Sequence, residues 1–228
     1  MSTVERPPRR TLPPLIAGQR LDRATFHERY AAMPPRTRAE LIGGIVHMPS
    51  PLGYEHGDRD SEVSDWLGHY KRYTKGIEKP LNATTQLGDY GEHQPDCQLI
   101  IPGDLGGQTR FVGSFIVGPP ELIVEIGKTT RETDLGATKD DYERAGVLEY
   151  LFVGIDPDEV LWFIRRDGRF VEMEAGADGL LRSEVFPGLW LDPAALLARD
   201  MDAVYVALDR GIATPEHAAF AARLGGRN

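Results

Sequence analysis

Residues 119–156 read PPELIVEIGKTTRETDLGATKDDYERAGVLEYLFVGID, a segment that changes from a strand pattern to a helix pattern and back. It opens with an apolar run at residues 122–126, which is typical of a strand buried on both faces. Glu125 lies inside this run, and a carboxylate among apolar neighbours is costly unless it has a partner or a role. Glu125 is therefore the first candidate site residue.

The period of the sequence becomes helical after a polar break. Spacing of three to four residues places Leu135, Lys139 and Tyr142 on one stripe that should face the core, and Gly146 can end the helix. A buried ammonium needs a partner. We therefore expect Lys139 and Glu125 to supply a base and an acid to one pocket.

The composition is that of an ordinary globular chain. Its 228 residues, 41% hydrophobic and 27% charged, suffice for one large domain or two small ones. Since we find neither an internal repeat nor a clear linker, we predict a flexible arm over residues 1–20 and a single domain over residues 21–228. The arm lacks the apolar segment of a secretory signal, and we see no membrane-spanning run.

The cysteine count and the charge exclude several classes of protein. Cys97 is the single cysteine, so the chain has no internal disulfide and no thiolate zinc site, and we expect a cytoplasmic protein. The formal net charge of −9 argues against a surface that grips a polyanion over its whole extent. It still permits a local basic groove, or a metal that screens carboxylates from a phosphate.

The rest of the chain alternates helical and strand-like segments. In order, we predict a short helix at 21–33, a hairpin turning at Gly43-Gly44, a longer helix at 55–75, strands at 81–88 and 95–101, a Gly-rich excursion or lid at 102–118, an antiparallel meander at 149–186, and helices from Pro193 onward. This mixture predicts one mixed α/β domain.

Three acids fall at the edges or in the interior of apolar strands. They are Glu40, Asp96, which follows Pro95 at a strand mouth, and Glu125. Mg²⁺ is usually held by one or two carboxylates, with water and substrate phosphate completing its shell. If their strands are adjacent, Asp96 and Glu125 could hold Mg²⁺ or Mn²⁺, and Lys139 could orient or deprotonate a bound water.

The order of these residues resembles that of the PD-(D/E)XK nuclease superfamily. More specifically, the chain resembles the Uma-two family of restriction endonuclease-like proteins over about residues 20–200, nearly the whole sequence. The resemblance rests on AELIGGIVHMPSP, His56, QPDCQLI, PPELIVEI, TDLGATKDDYERAGVLEYLFVGIDP and FPGLWLD, in this order. It implies a metal-dependent phosphodiesterase fold with a central mixed sheet flanked by helices.

The resemblance also implies roles for single residues. Asp96 matches the motif aspartate, Glu125 the second acid and Glu40 the acid on the early element. His56 has two readings, as a residue that packs or caps the long helix and as one placed over a phosphate.

The lysine departs from the superfamily pattern. An E-x-K motif would place it at position 127, where this chain has Gly127. The chain is similar to a variant whose lysine lies on the following helix, which fits Lys139. Lys128 remains a rival, although it is one step out of register with Glu125 unless the strand ends or bulges there.

Two functions of different classes follow. The first is a Mg²⁺- or Mn²⁺-dependent endonuclease that hydrolyses phosphodiesters in DNA, with Asp96 and Glu125 as metal ligands, Lys139 assisting the water and Glu40 supporting the site. The second is an inactive nuclease-fold module that binds a partner or forms a homo-oligomer. For a homodimer, the meander and the last helices are the predicted surface.

Overall fold

The computed structural model describes residues 12–35 and 37–226, and its elements follow the predicted alternation. The helices are α1 (Arg23–Ala31), α2 (Tyr54–Tyr73), α3 (Arg131–Thr133), α4 (Lys139–Ala145), α5 (Pro193–Leu197), α6 (Met201–Ile212) and α7 (Pro215–Gly225). The strands are β1 (Glu40–Ile42), β2 (Ile45–His47), β3 (Thr85–Leu87), β4 (Gly91–His93), β5 (Cys97–Leu99), β6 (Arg110–Val112), β7 (Phe115–Val117), β8 (Leu122–Gly127), β9 (Glu149–Ile155), β10 (Asp158–Arg166), β11 (Arg169–Glu172), β12 (Leu181–Arg182) and β13 (Trp190–Leu191).

A mixed sheet of five strands, in the order β11-β10-β9-β8-β5, carries the core. β8 pairs in parallel with β9 and antiparallel with β5. Leu122, Val124 and Ile126 of β8 face one side, while Ile123 faces the other, so both faces of this strand are covered. The predicted mixed sheet flanked by helices is confirmed, and so is the strand buried on both faces.

Each face of this sheet has its own hydrophobic layer. On one face Val63, Trp66 and Leu67 of α2 pack with the even-numbered side chains of β8 and with the C-terminal helices. On the other face an aromatic layer contains Tyr142 of α4, Tyr150 of β9 and Phe163 of β10. The helix that follows β8 therefore covers the face to which Ile123 and Glu125 belong.

A second sheet of six strands, in the order β2-β1-β4-β3-β7-β6, was not foreseen. It begins with the predicted hairpin, in which Glu40 lies opposite His47 and the turn glycines Gly43 and Gly44 have positive φ. It also contains β6 and β7, which come from the second half of the Gly-rich segment. That segment forms a hairpin and is tied down by Glu121, which accepts hydrogen bonds from the N–H groups of Ile101 and Gln108 at 2.7 and 2.8 Å. Of the two predicted alternatives the excursion is observed, since β6 is exposed throughout, whereas a free lid is not.

Three of the four strands predicted for the antiparallel meander form it. β9, β10 and β11 pair antiparallel in sequence order, but β12 leaves the sheet and pairs with β13. The buried Glu149 contributes to this departure, because its carboxylate accepts hydrogen bonds from Ser183 Oγ and from the N–H groups of Glu184 and Val185. Residues 183–185 therefore hydrogen-bond to the Glu149 side chain, where the predicted meander would pair them with β11.

The predicted N-terminal arm covers residues that the structure only partly describes. Residues 1–11 lie outside the described residues. Within the rest of the arm, Leu15 is buried beside Phe26, and the Gly18 N–H donates to the Val46 carbonyl at 2.8 Å. Packing therefore begins before the predicted boundary at residue 21. No helix in the described part of the chain combines the length and the apolar character that crossing a membrane requires.

Candidate active site

The site is built where β5 and β8 run side by side. Cys97 of β5 lies opposite Val124 of β8, so Asp96 and Glu125 are neighbours across the ladder. The Asp96 N–H donates to Glu125 Oε2 at 3.4 Å, and the Ile126 N–H donates to Asp96 Oδ2 at 2.8 Å. β5 and β8 are therefore adjacent, as a metal site shared by Asp96 and Glu125 requires.

These two carboxylates face a small cavity of about 100 Å³. Its lining residues come from both sheets, from α2 and from the segment after β8: Arg38, Glu40, Pro49, Leu52, His56, Gln94, Asp96, Glu125, Ile126, Thr130 and Asp134. Glu40 Oε1 accepts a hydrogen bond from the Gln94 N–H at 2.6 Å, which fixes it at the cavity wall. The structure thus brings together the three acids singled out in the sequence.

A fourth acid, Asp134, also lines the cavity. It begins a π-helical turn, residues 134–138, between α3 and α4, and this turn carries it back over the end of β8. A Cβ at Gly127 would lie 2.9 Å from Asp134 Oδ2 and 2.6 Å from Phe152 Cε2. Residue 127, where the superfamily pattern has its lysine, is a glycine, and this leaves room for the Asp134 side chain.

Two of the acids that line the cavity have raised pKa values, because they are buried and lie close to other carboxylates. Burial raises the pKa of Glu125 well above its usual range, and the charges of Asp96 and Asp134 raise it further. Burial likewise raises the pKa of Asp134 to about 7, with the charges of Asp96 and Glu40 adding to the effect. A cation in the cavity would offset this repulsion.

Tyr142 holds Glu125 from the helix side. Its side chain is fully buried between the rings of His93 and Tyr150, and its hydroxyl donates to Glu125 Oε1. The sequence analysis placed Tyr142 on the core-facing stripe but gave it no role at the site. With Tyr142 on Oε1 and the Asp96 N–H on Oε2, both oxygens of Glu125 are oriented.

His56 reaches the cavity from the first turns of α2. Its Nε2 lies 3.4 Å from Asp96 Oδ2, and this hydrogen bond raises the pKa of the imidazole. Its Nδ1 is buried and has no hydrogen-bond partner among the residues that the structure describes. His56 therefore contacts the site through Asp96, and its predicted position over a phosphate stays a prediction.

The structure corrects the prediction for Lys139. Its Nζ lies 4.3 Å from the centroid of the Phe163 ring, and Lys139 does not line the cavity. The stripe does face the core, but the π-helical turn and the non-helical backbone of Gly136 place Lys139 over β10, while Tyr142 reaches Glu125. The rival, Lys128, is partly exposed and pairs with Glu55 outside the cavity.

The donor set fits a hard divalent cation. No group of three or more His, Cys, Asp or Glu side chains is arranged to hold a metal within residues 12–35 and 37–226. Mg²⁺, however, commonly takes only one or two carboxylates and completes its shell with water and phosphate. Asp96 and Glu125 meet this smaller requirement, since their carboxylates face the same cavity.

Comparisons with known proteins agree with this fold. A family model described as "Uma2: Putative restriction endonuclease" matches residues 24–194. A solved structure described as "a putative nuclease belonging to DUF820", from Anabaena variabilis ATCC 29413, is similar with a TM-score of 0.56 and 14% sequence identity, over 79% of this chain and 97% of that one. No curated protein matches the chain. At this identity the solved structure supports the fold alone.

Proposed function

Because this chain belongs to the Uma2 family, we propose that it is a metal-dependent endonuclease that hydrolyses phosphodiester bonds in DNA. The proposal rests mainly on Asp96 and Glu125, which are joined by the hydrogen bond from the Asp96 N–H to Glu125 Oε2. Their carboxylates face one cavity together with Glu40 and Asp134. Four acids around so small a space have a clear use when a divalent cation and a phosphate enter it.

Asp96 and Glu125 would hold Mg²⁺ or Mn²⁺. When bound, the metal supplies a Lewis acid that polarises the phosphate and lowers the pKa of a coordinated water. The Ile126 N–H and the Tyr142 hydroxyl keep the two carboxylates turned into the cavity. Glu40, held by the Gln94 N–H, adds an acceptor on the opposite sheet.

Positive charge at the cavity comes from residues other than the predicted lysine. Arg38 lines the cavity, and its guanidinium donates to Asn82 Oδ1 at 2.7 Å. We propose that Arg38 offsets the negative charge of the incoming phosphate. His56, in contact with Asp96, is assigned to the positioning of that carboxylate.

One observation favours the second function, an inactive nuclease-fold module. Neither Lys139 nor Lys128 lines the carboxylate cavity. A module of this kind has no reason to keep a working Mn²⁺ site. Metal binding therefore separates the two functions more sharply than the fold does.

The test compares DNA cleavage and Mn²⁺ binding in the same set of proteins. Supercoiled and single-stranded DNA are incubated with Mn²⁺ and wild type, Asp96→Asn or Glu125→Gln, with Glu132→Gln as the control because this exposed acid lies outside the cavity. We expect cleavage by wild type and the control, and loss of both cleavage and calorimetric Mn²⁺ binding in the two site variants. A wild type that neither binds Mn²⁺ nor cuts DNA would favour the inactive module.

The oligomeric state and the cellular location of the protein are also part of the proposal. A homodimer would present two sites for the two strands of a duplex, and light scattering on the purified protein tests it. A cytoplasmic location stays a prediction from the single cysteine.

A further inference from the structure

A second and larger cavity continues directly from the carboxylate cavity. This groove has a volume of about 280 Å³ and is lined by residues on both sides of the α2 start and by residues that follow β8: Pro49, Ser50, Pro51, Leu52, Gly53, Glu55, His56, Lys128, Thr129 and Thr130. Four of them, Pro49, Leu52, His56 and Thr130, also line the carboxylate cavity. The two spaces therefore adjoin each other.

The groove combines apolar walls with positive charge. Leu52 is 51% exposed, although it is an aliphatic side chain, and it stands between Pro51 and Gly53 on the lip. Lys128 also lines the groove, and its ammonium pairs with Glu55, which lines it too. Gly53 is the N-cap of α2 and has no side chain to cap the first N–H groups, so these N–H groups remain donors at the groove.

The carboxylate cavity, at about 100 Å³, is smaller than the groove, at about 280 Å³. Since the two spaces share four lining residues, the nucleoside attached to a phosphate at Asp96 and Glu125 would extend into the groove. In a duplex the faces of the bases are stacked on each other and cannot contact such walls.

We propose that the groove binds the base and sugar of an unpaired nucleotide next to the scissile phosphate, and that the preferred substrate is single-stranded DNA. This inference rests on the proposed function. The overall charge supports it, because a chain with net charge −9 is poorly suited to binding a duplex through phosphate contacts alone. Apolar contact between Leu52 and a base adds affinity that does not depend on clustered Lys and Arg.

The inference is tested by binding, apart from cleavage. A short single strand containing 2-aminopurine, and the duplex of the same sequence, are titrated with the full chain in Ca²⁺, and the fluorescence of the base is followed. The proteins are wild type, Leu52→Asp, Lys128→Ala and the control Val112→Asp, whose apolar side chain is equally exposed at 51% but belongs to β6. Melting curves verify that all four are folded.

We expect wild type to bind the single strand more tightly than the duplex and to change the fluorescence of the bound base. Leu52→Asp should weaken single-strand binding about tenfold and Lys128→Ala a few-fold, with Val112→Asp unchanged. Equal affinity for duplex and single strand, no binding of either, or an unchanged Leu52→Asp variant would overturn the inference. Tight single-strand binding without Mn²⁺-dependent cleavage would leave it standing and remove the proposed function instead.

Discussion

The backbone N–H of Asp96 donates to the Oε2 atom of Glu125, at 3.4 Å, across two antiparallel strands. The return contact comes from the residue after Glu125, since the Ile126 N–H donates to Asp96 Oδ2 at 2.8 Å. Each carboxylate is therefore oriented by the backbone of the strand that carries the other. Two like charges held this close repel each other, which adds to the effect of burial in raising the pKa of Glu125.

Tyr142→Phe should weaken metal binding without unfolding the protein. The change keeps the buried ring and removes the hydroxyl that donates to Glu125 Oε1. We expect Mn²⁺ affinity to fall about tenfold and stability by about 1–2 kcal/mol, which is typical of a buried hydrogen bond to a charged group. Calorimetry and urea unfolding measure the two effects.

The matched control for that variant is Tyr70→Phe. Tyr70 is equally buried, and its hydroxyl donates to the Pro187 carbonyl at 2.9 Å on the other face of the sheet. It should lose a similar amount of stability and bind Mn²⁺ as wild type does. Equal Mn²⁺ affinity in both variants would show that Tyr142 does not position Glu125.

Gly127→Ala should destabilise the protein, although the superfamily pattern has a side chain at this position. The new Cβ would meet the Phe152 ring at 2.6 Å and Asp134 Oδ2 at 2.9 Å. We expect a loss of about 1–3 kcal/mol in urea unfolding. The control is Gly57→Ala in α2, where a Cβ meets nothing within 4 Å and should add about 0.5–1 kcal/mol. A neutral Gly127→Ala would mean that Asp134 does not occupy the space over β8.

Glu149→Gln should change how stability depends on pH. Burial raises the pKa of Glu149 to about 7 from a usual value of 4.5. The folded state therefore keeps a proton that the unfolded chain releases, so this group lowers stability as pH rises between these two values and has a constant effect above them. The full effect is about 3 kcal/mol.

Since glutamine cannot ionise, the variant should gain stability relative to wild type between about pH 5 and about pH 8. Urea unfolding at both pH values measures this, with the exposed Glu174→Gln as the control. A difference between Glu149→Gln and wild type that is the same at both pH values would contradict the prediction.

Arg38→Gln and Lys139→Ala should separate the predicted lysine from the residue that lines the cavity. Lys139 lies on the Phe163 ring, so its removal should leave cleavage unchanged and cost about 1 kcal/mol of stability or less. Arg38→Gln should raise KM for DNA several-fold while Mn²⁺ affinity stays the same. The reverse pattern, with cleavage lost in Lys139→Ala alone, would restore the assignment made from the sequence.

Much of the local structure could be predicted from the sequence. The apolar run around Glu125, the paired glycines after Glu40 and the Pro95-Asp96 strand mouth are local patterns, and each corresponds to the expected element. The unforeseen six-stranded sheet is different in kind. Its strands are only three residues long, as in β4, and so short a segment has too little periodicity to be distinguished from a turn.

Local sequence was enough to predict that Asp96 and Glu125 lie at the ends of buried strands, because burial and strand pattern follow from neighbours in the chain. The side chains that join them in the cavity depend on long-range packing. Asp134 reaches the cavity through a π-helical turn, His56 through the docking of α2, and Lys139 is carried away to Phe163. The physical reason is that a helix pattern defines a face, whereas the point where that face meets a sheet depends on packing between residues far apart in the chain.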